Sequence, residues 1–143
     1  MLVFHRAALR TPPRARGLYD LTVDVARIVA DSPVLTGLCH LFLQHTSASL
    51  VIQENADPDV LRDLADWFAS RVPDGDPAYR HIDEGPDDMS AHIRAALTQP
   101  SLHVPVHEGR LALGTWQGLY LFEHRTQPYA RSILLTVHGD NGR

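Results

Sequence analysis

Hydrophobic residues along this chain alternate between two spacings, and the switches mark the elements. Val25, Ile28 and Val29 recur at helical spacing after Thr22, a residue suited to cap a helix. A second helix is expected after Asp57, a good N-cap, with Pro58 at its first position and Asp59 against the positive end of the dipole. Val60, Leu61, Leu64, Trp67, Phe68 and Val72 form its apolar face. A third is expected over Ser90 to Thr98, where Ile93 and Leu97 sit one turn apart and Pro100 follows.

Short apolar runs predict strands at Leu38–Gln44 and Ser49–Gln53. Leu102, Val104 and Val106 alternate with His103, Pro105 and His107, as in a strand with one wet face. Glu108-Gly109 reads as a hairpin turn into Leu111–Gly114. Leu119–Glu123 and Ser132–Val137 are apolar on both faces and are expected at the centre of a sheet. Several connections are too short for parallel crossovers, so the expected fold is α+β, with about three helices on a mainly antiparallel sheet. Val72 to Pro77 reads as a loop, so all of 1–143 is expected to form a single domain.

Composition narrows the function. An apolar fraction of 44% and a charged fraction of 21% are ordinary for a globular protein. The net charge of −4 argues against a nucleic-acid partner, and the arginines at 6, 10, 14 and 16 read as a solvated edge. No apolar run reaches the roughly 18 residues needed to cross a bilayer, and no leader is evident, so no membrane partner is expected. The lone Cys39 suits a reducing compartment, and the expected location is cytoplasmic.

Two polar clusters carry the candidate chemistry. His45-Thr46-Ser47-Ala48-Ser49 ends an apolar run and leads to Glu54-Asn55-Ala56-Asp57-Pro58-Asp59. His45 shares a strand face with Leu41 and Leu43, which puts it at the mouth of a core, and the hydroxyls offer donors to an anion. In the second cluster, His81 and His92 flank Asp83, Glu84, Asp87 and Asp88, with a Gly85-Pro86 turn between them. Asp88 lies one helical turn before His92, and the two meet if the helix reaches back that far. Three histidines with carboxylates suit zinc, or a carboxylate-rich magnesium or manganese site. An acid–base cluster without metal, or a solvated loop, fits the same residues. Gly114-Thr115-Trp116-Gln117-Gly118 is expected to bend and aim an aromatic and an amide outward, or to close the core with the Trp. Glu123 and Arg131 can pair, or Arg131 can fork a phosphate.

In this order, four motifs resemble the YjbQ-like family, described as secondary thiamine-phosphate synthases. They are His45-Thr46-Ser47-Ala48-Ser49-Leu50, Glu54 to Val60, Gly85-Pro86-Asp87-Asp88-Met89-Ser90-Ala91-His92-Ile93, and Leu111 to Gly118. The resemblance implies a compact α+β homotrimer that binds a small phosphorylated metabolite. It implies metal- or anion-binding histidines at His45, His81 and His92, with Asp57 and Asp88 as supporting acids. The implied catalytic set is His45, Asp57, Asp88 and His92. Thr46, Ser47, Asn55, Trp116, Gln117 and Arg131 would hold substrate or phosphate. The implied reaction joins a pyrimidine pyrophosphate to a thiazole phosphate, with a divalent metal and no organic cofactor. A metal-assisted phosphate-ester hydrolase and a non-catalytic metal- or metabolite-binding trimer are the competing readings. Glu123 to Tyr129 and Thr98-Gln99-Pro100 depart from the family pattern, and both are expected at the rim of the site.

Overall fold

The computed structural model describes residues 1–143 as one α+β unit of eight strands and three helices. In chain order these are β1 (Leu2–Arg10), β2 (Gly17–Asp20), α1 (Thr22–Asp31), β3 (Thr36–Leu43), β4 (Ala48–Glu54), α2 (Pro58–Arg71), α3 (Asp88–Leu97), β5 (Ser101–His107), β6 (Arg110–Leu111), β7 (Gln117–Glu123) and β8 (Ser132–Asp140). Every strand pair is antiparallel. Five strands form one sheet in the order β1-β8-β3-β5-β6, and three form another in the order β2-β7-β4. As their two-sided apolarity predicts, β7 and β8 are interior strands.

The two sheets face each other across the main core. Cys39, Leu41 and Leu43 of β3 and Ile133, Leu135 and Val137 of β8 meet Leu50 of β4 and Leu119 and Leu121 of β7. Val25 and Val29 of α1 fill the remaining gap. On its far side the three-stranded sheet is covered by α2 and α3, where Phe68 and Val72 pack on Phe122, with Ile93 beside them. The other face of the five-stranded sheet is open. No helix is long and apolar enough to cross a membrane.

The element ends differ from those expected. Helix α1 begins at Thr22 rather than after it: the Asp20 carboxylate accepts from the Thr22 N–H, and Thr22 Oγ1 accepts from Leu119 N–H. Helix α3 starts at Asp88, two residues before the expected Ser90. Glu108 and Gly109 do turn the chain, with φ of 50° and 75°, but β6 is only two residues long. The Gln117 side chain accepts from Gly114 N–H and closes the following segment into a turn instead.

Strands β1 and β2 have no counterpart among the expected elements. In β1 the outward positions carry Arg6 and Arg10, which mask the alternation. The four N-terminal arginines disperse rather than form a patch. Arg6 and Arg10 are exposed on an edge strand, Arg14 lies 4.7 Å over the Tyr19 ring, and Arg16 is bidentate to Asp74.

Candidate metal centre

Two histidines and one carboxylate converge at the start of α3. The Gly85-Pro86 turn, with Gly85 at φ 101°, folds the 73–86 loop back so that Gly75 N–H donates to Pro86 O. Ser90 Oγ, donating to Asp74, ties the same loop to α3. His81 is thereby delivered to the first turn of the helix, where its Nε2 lies 2.6 Å from Asp88 Oδ2. His92 follows one turn later, and its Nε2 stands 3.0 Å from the same oxygen. The ligand-capable atoms of His81, Asp88 and His92 all fall within 4.8 Å of one another.

The tautomer of His92 decides what this arrangement can do. His92 Nδ1 is 3.0 Å from Thr46 O, a carbonyl that can only accept, so Nδ1 carries the proton. In the neutral ring, Nε2 is then a lone pair aimed at a carboxylate oxygen. Two electron-rich atoms at that distance repel unless a cation, either a proton or a metal ion, lies between them.

A buried salt bridge holds Asp88 in place. Arg125 Nη1 donates to Asp88 Oδ1 at 2.7 Å, while its Nε donates to Asp87 Oδ2 at 3.2 Å. Thr126 donates to Asp87 Oδ2 from both its N–H and its hydroxyl at 2.8 Å. Burial alone would raise both carboxyls. Against it, the Thr126 and Arg125 contacts bring Asp87 down to about 2. The His81 and Glu84 hydrogen bonds and the Arg125 charge likewise hold Asp88 below the usual carboxylate range.

Arg125 and Thr126 belong to the segment expected at the rim, an expectation corrected in its first half: residues 126–129 are exposed, but Glu123 and His124 are fully buried, and Arg125 and Thr126 orient the acids of the cluster. The signal was present in the sequence. An apolar strand ending in His124-Arg125-Thr126 repeats the pattern of the apolar run that ends in His45-Thr46-Ser47.

His45 does not join the other two imidazoles. It lies just beyond β3, where its Nε2 accepts from Ser132 N–H at 2.8 Å and prolongs the pairing with β8. That contact uses the lone pair, so the ring faces its surroundings as a donor through Nδ1 rather than as a metal ligand. Burial and the Arg131 charge lower its pKa, in keeping with a neutral ring.

His45 and His92 do share a recess of about 260 Å³, with Thr46, Ala48, Ala95 and Pro100 completing its wall. Beyond His81, on the loop side, opens a cleft of about 440 Å³ lined by Gly75, Tyr79, Ile82 and Pro86.

The remaining candidate residues are placed elsewhere. Asp57 caps α2, its Oδ1 accepting from Asp59 N–H at 2.9 Å, and stays exposed. Arg131 is buried on Glu123, with Nε 2.6 Å from Oε2, and its Nη2 also donates to Ser47 Oγ at 3.0 Å. The Nε–Nη2 fork of Arg131 is thus spent on Glu123 rather than on a phosphate, whereas the half-buried Ser47 hydroxyl only accepts from it and keeps its own proton to donate. Asn55 Nδ2 donates to Thr115 O and Gln117 O, while Trp116 points into solvent. These lie at the Glu54–Gln117 end of the β4–β7 pair, whereas the histidine cluster lies at the Ala48–Glu123 end. The two ends are six residue steps apart along β4, roughly 20 Å.

The family model described as UPF0047 protein YjbQ-like matches residues 6–140. A UPF0047 protein of Synechocystis sp. is 51% identical over 136 residues, covering 95% of this chain and 92% of that one. The UPF0047 protein YjbQ of Escherichia coli O157:H7 is 42% identical over 139 residues, covering 96% of this chain and all of that one. A crystal structure of a conserved hypothetical protein from Thermus thermophilus superposes with a TM-score of 0.79 at 34% identity, covering 90% of this chain and 97% of that one. A YbjQ-like protein of unknown function from Sulfolobus solfataricus shares the fold at a TM-score of 0.87 and 24% identity, covering 98% of this chain and 100% of that one. Matched over nearly its whole length, the chain belongs to the YjbQ-like UPF0047 family.

Proposed function

We propose that His81, Asp88 and His92 hold a divalent metal ion and that the protein is a transferase joining two phosphorylated small molecules at that centre. The observation that carries this reading is the His92 tautomer: with Nδ1–H given to Thr46 O, a lone pair faces Asp88 Oδ2 at 3.0 Å. Two imidazoles and a carboxylate suit zinc or manganese better than magnesium. Once bound, such an ion would offset the negative charge that builds on a departing pyrophosphate.

The rest of the chemistry falls to the chain. The cluster lies between two recesses, one bordered by His81 and the other by His92, a plan that suits two substrates better than one. Tyr79 and Ile82 give the larger cleft an apolar wall for a flat ring. His45 Nδ1–H and the Thr46 hydroxyl give the smaller recess donors for a phosphate. The thiamine-phosphate synthase reaction has these demands: the carbon–oxygen bond to pyrophosphate breaks, a carbon–nitrogen bond to the thiazole forms, and pyrophosphate leaves. In this reading Trp116 has no part in stacking on the substrate of its own chain. A homotrimer and a cytoplasmic location, suited to the free buried Cys39, go with it.

Purified protein mixed with a pyrimidine pyrophosphate and a thiazole phosphate should release pyrophosphate only when both are present. His92→Ala should lower that rate at least roughly a hundredfold. Release from one substrate alone would contradict the transferase and favour a second reading, a metal-assisted phosphate-ester hydrolase. The exposure of the His81 side chain, 42%, gives that reading its own support, since water reaches the cluster directly.

A further inference from the structure

The open face of the five-stranded sheet carries four histidines that play no part in the proposed transferase: His40, His103 and His138, and, opposite Thr36 at the far end of β5, His107. Registers place their outward side chains in rows across the strands. One row runs Arg6, Thr136, His40, His103, and the next runs Phe4, His138, Leu38, Pro105. His40 and His103 are therefore directly opposite on neighbouring strands, with ring centroids 4.6 Å apart. His138 is the diagonal neighbour of His40 on the other side, within reach of a long side chain. Phe42 stacks on His40 and Phe4 on His138, which limits the rotamers of both rings. Neither His40 nor His103 takes a hydrogen-bond partner within the chain, so their ring nitrogens are free.

We propose that His40 and His103, with His138 at the flank, form a second metal site on this face, selective for imidazole-preferring divalent transition ions such as nickel, copper or zinc. Two nitrogens on one ion at about 2.0–2.1 Å each must stand roughly 3–3.5 Å apart, a separation that directly opposed cross-strand imidazoles reach with small rotations. The site has no carboxylate among its ligands, which disfavours magnesium and calcium. It is separate from the cluster on α3, which lies on the far side of the three-stranded sheet.

Tag-free protein is stripped of metal and titrated with nickel by calorimetry, first as wild type and then as His92→Ala, which disables the first centre. One nickel per chain should remain in His92→Ala. Adding His40→Gln or His103→Gln to that variant should weaken the remaining event at least tenfold, while adding His107→Gln should leave it unchanged. Magnesium should give no heat in His92→Ala. Nickel affinity that ignores both His40→Gln and His103→Gln overturns the second site, as does a His92→Ala protein that binds no nickel. Conversely, a wild type that binds a single nickel lost on His40→Gln would uphold this site and count against the α3 centre, so the two readings fail separately.

Discussion

At the scale of single residues, the site depends on side chains that touch no ligand. Arg125 spans Asp87 and Asp88 and lies 5.3 Å over the Tyr129 ring, a planar fork that a lysine cannot reproduce. Arg125→Lys should therefore weaken metal binding about 10–100-fold, read by equilibrium dialysis, with the fold retained. An affinity within a factor of two of wild type would show that Asp88 is oriented by something else. His124 makes a different prediction. It is fully buried, its Nε2 is 2.8 Å from Ser49 Oγ, and burial together with the Arg94, Arg16 and Arg131 charges pushes it down to about 3 from 6.5. As pH falls below 6.5 the unfolded chain takes up a proton there that the folded chain refuses, so stability drops progressively between about pH 6.5 and 3. Asp87 adds a later loss: its stabilising ionisation is complete above 3.8 and disappears as pH falls toward about 2. Urea midpoints measured from pH 7 to 4 should decline in wild type and decline less steeply in His124→Leu. Equal slopes would contradict the buried neutral imidazole.

At the scale of elements, α2 and β5 were legible because their signals are local. An Asp-Pro-Asp start and a period of 3.6 define α2 without reference to the rest of the chain, and strict alternation defines β5. The start of α3 was harder, because Asp87 and Asp88 read as loop residues until Arg125 and Thr126, nearly 40 positions later, neutralise and bind them. Strand β1 was hidden for a related reason: only its pairing along β8 makes a row of arginines and alanines into a strand. Asp57 received two roles from the sequence, an N-cap from its place before Pro58 and a supporting acid from the family resemblance; in the structure its carboxylate caps α2. Asp57→Ala should thus cost about 1 kcal/mol of stability. The check is a thermal melt paired with the pyrophosphate assay: Tm should fall while the rate stays unchanged. A rate lost without loss of Tm would return Asp57 to the catalytic set.

At the scale of the whole molecule, two sheets and a pair of covering helices bring distant segments to one end of the β4–β7 pair. Burial of the Glu123–Arg131 ion pair beside Ser47 fixes the ends of β4, β7 and β8 together, with Glu123 fully enclosed. Glu123→Ala leaves a buried guanidinium uncompensated and should destabilise the fold by roughly 3–5 kcal/mol, seen in denaturant titration. A loss below about 1 kcal/mol would mean that Arg131 finds water or another partner. The same architecture explains why three imidazoles chosen from sequence reduce to two. His81 and His92 meet across a loop and a helix, while the strand that carries His45 ends against β8 and uses the ring nitrogen there.

Zinc binding to metal-stripped, tag-free protein tests this division most directly, measured in the His40→Gln/His103→Gln background so that the sheet face contributes nothing. One zinc per chain should bind in that background and also after adding His45→Ala, and binding should be lost after adding His92→Ala or His81→Ala. Zinc retained without His92, or lost with His45 alone, would contradict a centre built on His81, Asp88 and His92.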